Sequence, residues 1–274
     1  MAMSPGSLEK LIVARQLPTA NVDNPQVDVP LRGGRYGDTK TESVFPTDHL
    51  QADEGVLFSA SMSPGATALQ LGLSAAFSAT AAAIVIVNTD VAGGKRIYPK
   101  KLKLMQSVAP TSGIDLRYAI VLDSINRQPT TVALPAGSAF GPGTPATATA
   151  YRSPVVGCNQ DTGVASIAAV YFPLSAAAGA PPTIPAASGQ SRIIEGNGYL
   201  KNSIPVVKDQ YVLQFGSADV GGTFQGAAAL AKIVEHVSAV CIGPGQTLTI
   251  HLWSAGNITA GNAWDGMTLE LVER

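Results

Sequence analysis

The chain reads as all-β: a jelly-roll-like antiparallel β-sandwich with an extended N-terminal arm. Three observations predict this. From Val56 to the C-terminus, short apolar segments alternate or run continuously, and side chains of period two belong to strands. Turn residues punctuate them, with 28 Gly and 19 Pro in 274 residues. Helical spacing is confined to one short stretch near the N-terminus. Many short strands without intervening helices indicate a sandwich or jelly roll rather than an α/β fold. No fixed short repeat supports a β-helix.

The arm is assigned to residues 1–60 and the sandwich body to 61–274, with a division into two sub-domains near 126–190 left open. Ser7 to Gln16 predicts a short helix capped by Ser7. From Leu17 to Asp53 no period is sustained, because Pro18, Pro25, Pro30 and Pro46 break it. So long a stretch is either disordered or an arm ordered by a neighbouring subunit. Leu31, Tyr36 and Phe45 are its candidate anchors, and Phe58 joins them at the entry to the first strand.

Strands are predicted at Val56–Ala60, Ala66–Leu71, Ala83–Asn88, Arg96–Ser107 and Asp115–Ile125. Ala83–Asn88 is continuously apolar and so buried on both faces. Short strands follow at Thr130–Leu134 and Ala146–Tyr151, then Val164–Leu174, and a Pro-rich surface loop spans Gly179 to Pro185. Ser191–Leu200 is a strand broken by a bulge at Gly196-Asn197-Gly198. Gln210–Phe215 alternates Tyr211, Leu213 and Phe215 inward. Phe224–His236 is ambiguous and is read as a loop followed by a strand from about Lys232. The clearest unit runs from Val237 to Trp253: a strand, a tight turn at Gly243-Pro244-Gly245-Gln246 and a returning strand. In the returning strand Leu248, Ile250 and Leu252 face a core, and Thr247, Thr249, His251 and Trp253 face away. The chain closes with a strand over Gly266–Arg274. This amounts to about ten strands, on the scale of a double-sheet jelly roll.

Charged residues make up only 14% of the chain, below the ~25% of an average soluble domain, which suits a surface covered by neighbours. The net charge of −1 provides no field for nucleic acid or an anionic membrane, so neither is an expected partner. The lysines at 95, 100, 101 and 103 read as a solvated strand end, because no aromatics interleave them. The most apolar window, Ala75 to Val87, is too short for a membrane span, and the start lacks a signal-peptide pattern. Cys158 and Cys241 read as half-buried thiols, with a disulfide left open.

No catalytic constellation emerges, and no enzyme activity, metal or cofactor is expected. His236 and His251 would meet only if the chain formed a hairpin at Gly243–Gln246, and no ligand set accompanies them. Gly93-Gly94-Lys95 fails the phosphate-loop pattern: Thr89 stands where a Gly is needed, and Arg96 follows the Lys. It reads as a hairpin turn. Trp253 and Trp264 flank a Gly/Asn-rich loop; core or subunit packing is the favoured role, and a carbohydrate platform the alternative.

Two stretches carry a resemblance. One is Arg35-Tyr-Gly-Asp-Thr followed by His49-Leu-Gln-Ala-Asp-Glu-Gly-Val-Leu-Phe-Ser-Ala-Ser; the other is Val234 to Trp253. Together they resemble structural proteins of tailed bacteriophages, which have a Gly-rich N-terminal arm, an all-β body and a Pro-Gly hairpin ending in an aromatic. The resemblance covers both ends of the chain and is weak through 126–190. It implies a virion protein of the capsid decoration or cement type. Such a protein is made in the host bacterial cytoplasm and bound to the capsid exterior. Its partners would be the major capsid protein and further copies of itself, as a homotrimer or another homo-oligomer. Leu31, Tyr36, Phe45, Phe58, Trp253 and Trp264 would then serve the arm and the interfaces. A receptor- or glycan-binding head or tail fibre module is the alternative.

Overall fold

Apolar side chains at alternate positions of the strands meet in one core between two sheets. The computed structural model describes residues 31–33, 39–41, 47–61, 69–70, 76–108, 115–129, 132–133, 150–153, 155–159, 165–173, 184–201, 206–216, 223–225, 231–254 and 263–274. The expected helix at 7–16, Tyr36 and Phe45 lie outside these. Two units are distinguished, residues 1–49 and 50–274. In the first, β1 (Leu31–Gly33) and β2 (Thr39–Thr41) pair antiparallel.

A helix not expected from the sequence, α1 (Thr47–Asp53), precedes the first sandwich strand. At seven residues it is too short to display a period. Its stop signal is Gly55, which adopts φ 70° and donates to the Ala52 carbonyl at 3.0 Å. A left-handed Gly at that position is a common helix end.

The remaining strands are β3 (Leu57–Ser61), β4 (Leu69–Gln70), β5 (Ile84–Asn88), β6 (Ile97–Val108), β7 (Leu116–Asp123), β8 (Val132–Ala133), β9 (Ala150–Ser153), β10 (Val155–Gly157), β11 (Ala168–Pro173), β12 (Arg192–Lys201), β13 (Gln210–Phe215), β14 (Thr223–Gln225), β15 (Ala231–Val237), β16 (Thr247–Ser254) and β17 (Ala263–Glu273). One sheet runs β10-β3-β17-β6-β13-β15-β14, with β4 also on β17; it has eight strands. The other has seven, in the order β12-β7-β16-β5-β11-β9-β8. All-β antiparallel sandwich architecture is therefore what the chain adopts; among the described strands only β13–β15 and β8–β9 pair in parallel.

Eight strands form a nested set: β3, β5, β6, β7, β12, β13, β16 and β17 in chain order. The first pairs with the last, the second with the seventh, the third with the sixth and the fourth with the fifth, all antiparallel. These pairs alternate between the two sheets, as a long two-stranded ribbon does when wrapped round a barrel-like core. The inward faces match the alternation in the sequence. Leu116, Tyr118 and Ile120 of β7, Leu248, Ile250 and Leu252 of β16, and Tyr211, Leu213 and Phe215 of β13 all line the core.

The stretch 126–190 is not a domain boundary. Its strands extend both sheets of one unit, β11 beside β5 and β10 beside β3. Val170 and Phe172 bring it into the main core. The body also begins earlier than residue 61, because β3 hydrogen-bonds along β17 from Leu57.

Two expected hairpins are corners instead. The strand before Gly243 (β15) and the strand after it (β16) lie in opposite sheets. The turn itself forms, with the Gln246 amide donating to the Gly243 carbonyl at 3.1 Å and Gly245 at φ 70°. Residues 89–96 likewise carry the chain from β5 in one sheet to β6 in the other. Asn88, fully buried, links the two corners: its side-chain amide donates to the carbonyls of Lys95 (2.9 Å) and Ile242 (3.1 Å). Local turn chemistry specifies a reversal, but the partner of each strand is decided by which face must be covered.

Candidate functional site

Polar side chains on the outer face of the seven-stranded sheet are the first place to look for chemistry. On β16 they are Thr247, Thr249, His251 and Trp253, and all are buried. His251 is 1% exposed; its Nδ1 lies 2.9 Å from the Ala81 carbonyl and its Nε2 2.9 Å from Thr249 Oγ1. Burial drives its pKa down to about 4, helped by the charge of Arg127 and opposed by backbone contacts with Ala81 and Ser78. The ring is therefore neutral near pH 7. Phe77 packs against it at 5.0 Å between centroids and meets Trp253 edge-on at 5.6 Å.

Beside it lies a buried ion pair. Arg127 Nη1 and Asp123 Oδ2 are 3.9 Å apart, with both side chains almost wholly inaccessible. Arg127 also donates to the Ala79 carbonyl and, from Nε, to the Pro185 carbonyl at 3.0 Å. Asp123 accepts from the Ser188 amide (2.9 Å), the Ser188 hydroxyl (2.5 Å) and the Ile125 amide (3.2 Å). Burial alone would raise the Asp123 pKa; these donors and Arg127 outweigh it and hold it below the usual carboxylate value. His251, Arg127 and Asp123 hold 76–83 and 184–188 onto the sheet, while Thr247 and Thr249 bond to the carbonyls of Ile125 and Val121. Ala82, Val85, Val87, Ala169, Tyr171 and Ile184 form a second small core beneath those straps. Ile184, near the end of the expected surface loop, is thus part of the interior, and Pro185 is half-buried. The hydroxyls of Thr249 and Ser188 lie against His251 and Asp123, but His251, Thr249 and Asp123 are buried, and the arrangement is that of a clamp.

Two more buried carboxylates behave alike. Glu273 accepts from Ser166 Oγ (2.5 Å) and from the amides of Ile167 (3.1 Å) and Ala168 (3.3 Å), tying β17 to the start of β11. Burial raises its pKa against those hydrogen bonds. Asp209 meets Lys201 Nζ at 2.5 Å and accepts from the Val206 amide at 2.7 Å. Cys158 and Cys241 are free thiols; Cys158 is exposed rather than half-buried, and Cys241 accepts from Arg96 Nη1 at 3.7 Å. Among the described residues no group of His, Cys, Asp and Glu could hold a metal ion, and no helix is long and apolar enough to cross a membrane.

The outer face of the eight-stranded sheet is different. Its central row, read across the strands by register, is Val156, Ser59, Glu270, Lys101, Gln214 and His236. The next row is Ser61, Thr268, Lys103, Val212 and Val234. Most of these side chains are partly accessible, while Val212 is buried. Lys101 and Glu270 form an ion pair at 3.3 Å in the middle, with side chains 40% and 31% exposed. This face carries Lys101, Lys103 and Glu270 among Ser, Thr, Gln, His and Val side chains, and it is the main candidate interaction surface. A smaller one lies at the β12 edge of the seven-stranded sheet. There Ile193 is 65% and Tyr199 47% exposed, and the Arg117 guanidinium stacks over Tyr199 at 4.7 Å while donating to Asn197 Oδ1 at 3.1 Å.

The sequence-based candidates fare unevenly. Phe58 is not an arm or interface residue: it is 1% exposed, in the main core, because β3 is an inner strand of the sandwich. Trp253 is also buried, packed by Phe77, and offers no platform for a sugar ring. Trp264 lies on β17, in register with Leu69 and Gln106. Leu31 lies on β1. His236 and His251 occupy opposite sheets, so the suggested meeting does not occur. The open face and the Asp123–Arg127 clamp were missed, since both are assembled from strands distant in sequence. No protein-family model matches the chain, nor does any curated protein or solved structure, so the functional reading stands on architecture and surface chemistry.

Proposed function

We propose that the chain is a virion structural protein of the capsid decoration or cement type, which binds the outside of a phage capsid shell and reinforces it as an oligomer. The nested order of eight strands is similar to that of a jelly roll, an arrangement that recurs in viral capsid and lectin domains. Because fold alone does not assign function, the observation that carries the reading is the low charge of the chain, 14% of its residues against the ~25% of an average soluble domain. Interfaces are depleted in charge, and the partly accessible outer face of the eight-stranded sheet is the surface such an interface would use. The mechanism is mass action: a protein that binds the assembled lattice and not its free subunits stabilises the lattice. The segment 1–46 would reach neighbouring subunits, and the body would supply the self-interface.

The test is co-sedimentation of purified protein with capsids that lack it, together with the melting temperature of those capsids. Binding that saturates and raises the melting temperature is expected, and removal of residues 1–46 should abolish it while leaving a folded body. Absence of binding, or binding unchanged by the truncation, would overturn the respective parts.

The second reading, a glycan-binding head or tail fibre module, is favoured by the exposed Tyr199 ring beside Arg117 and Asn197. A glycan array would separate the two: binding lost in Tyr199→Ala supports the module, and no binding to any glycan removes it.

A further inference from the structure

The open sheet face is self-complementary. A face can meet a copy of itself only through a two-fold axis lying in the contact plane. One such axis runs parallel to the strands between β6 and β17, near the middle of the sheet order. Rotation about it exchanges the two sides of each row. Lys101 of one copy then faces Glu270 of the second, and Glu270 faces the second copy's Lys101. Along the same row Ser59 meets Gln214, and in the next row Thr268 meets Lys103. The Lys101–Glu270 pair thus becomes four alternating charges at the centre, with Ser59, Gln214 and Thr268 around them and Lys103 in the adjacent row. Lys232, exposed on β15, falls at the rim where it stays in water.

The area suffices. Seven strands at ~4.8 Å spacing span roughly 29 Å, and central strands of 12 and 11 residues taper to short edges. The projected contact is on the order of 650 Å² per copy, close to the ~800 Å² per partner of a standard interface. The opposite sheet offers no comparable surface at its centre, because 76–83 and 184–188 already cover it.

We propose that two copies of this chain pack face to face through the eight-stranded sheet, with Lys101 and Glu270 crossing the two-fold. The inference concerns the oligomeric body invoked above but rests on this face alone, so a failure to bind capsids leaves it standing.

Size-exclusion chromatography with light scattering on the full chain tests it. The wild type is expected at twice the 28.1 kDa of one chain. Lys101→Glu and Glu270→Lys each place like charges across the axis and should elute as monomers with unchanged circular dichroism. Lys101→Glu combined with Glu270→Lys restores opposite charges and should restore the dimer. Lys101→Gln removes one charge without repulsion and should weaken the dimer by about tenfold in Kd. A monomeric wild type, an oligomer that survives both single reversals, or a folded double variant that stays monomeric would each overturn the proposal.

Discussion

Acidification between pH 7 and pH 5 should destabilise the body through His251. The ring is 1% exposed, wedged between Phe77 and the sheet, and burial holds its pKa at about 4 against an ordinary 6.5. Between those two values the unfolded chain binds a proton that the folded chain refuses. Stability from this group is therefore complete above about pH 7 and is lost as pH falls from 6.5 towards 4. Integrating the difference in bound protons gives a loss of roughly 2 kcal/mol between pH 7 and pH 5. Glu273 and Glu235 act in the opposite sense, because burial raises both. Their folded forms take up protons more readily, so acidification adds stability through them. Asp123, held below its usual value, loses its contribution only at lower pH. These terms are common to the wild type and a His251→Asn variant, so the comparison isolates the ring. Urea unfolding at pH 7 and pH 5, followed by tryptophan fluorescence, supplies it. Asn can still donate to the Ala81 carbonyl, and the variant is expected to be less stable at pH 7 but flatter with pH, by about 2 kcal/mol over this interval. Identical pH slopes in the two proteins would refute the assignment of a neutral, dehydrated imidazole.

Three further outcomes are expected. Arg127→Met leaves Asp123 buried without its cation and should cost about 3–5 kcal/mol, whereas Arg127→Met combined with Asp123→Leu should cost less, since no lone charge remains; urea midpoints decide between them. Phe58→Ala should cost about 3–5 kcal/mol by opening a cavity in the main core, and any loss of partner binding should follow the unfolded fraction rather than exceed it. Gly245→Ala should cost about 1–2 kcal/mol from backbone strain at φ 70°, because a Cβ there meets nothing closer than Val91 Cγ2 at 3.9 Å; thermal denaturation measures it.

Local pattern was enough for the class of fold and for the faces of its strands. Period two in β7, β13 and β16 placed their core residues correctly, and the continuous apolar run of β5 is buried on both faces as expected. The kink in Ser191–Leu200 is also local: β12 shifts register between Glu195 and Gly198, and Asn197 takes φ 62°. These features follow from a residue and its near neighbours, which is the range over which side-chain alternation and φ preferences act.

Pairing across the chain was a tertiary matter. A Gly-Pro-Gly turn specifies a reversal, yet here it joins two sheets, because β15 finds its partners in β13 and β14 and β16 finds its partners in β5 and β7. For the same reason Phe58 was misplaced as an arm residue: its burial depends on β17, more than two hundred residues later in the chain. The clamp of Asp123, Arg127 and Ser188 and the row Ser59, Glu270, Lys101 and Gln214 have no signature in sequence, since hydrogen bonds and surface rows form between positions that only folding makes adjacent. The sequence by itself determined an all-β chain with a charge-poor surface. The tertiary structure decided which face is strapped over and which is left open, because covering a sheet depends on where distant segments come to rest.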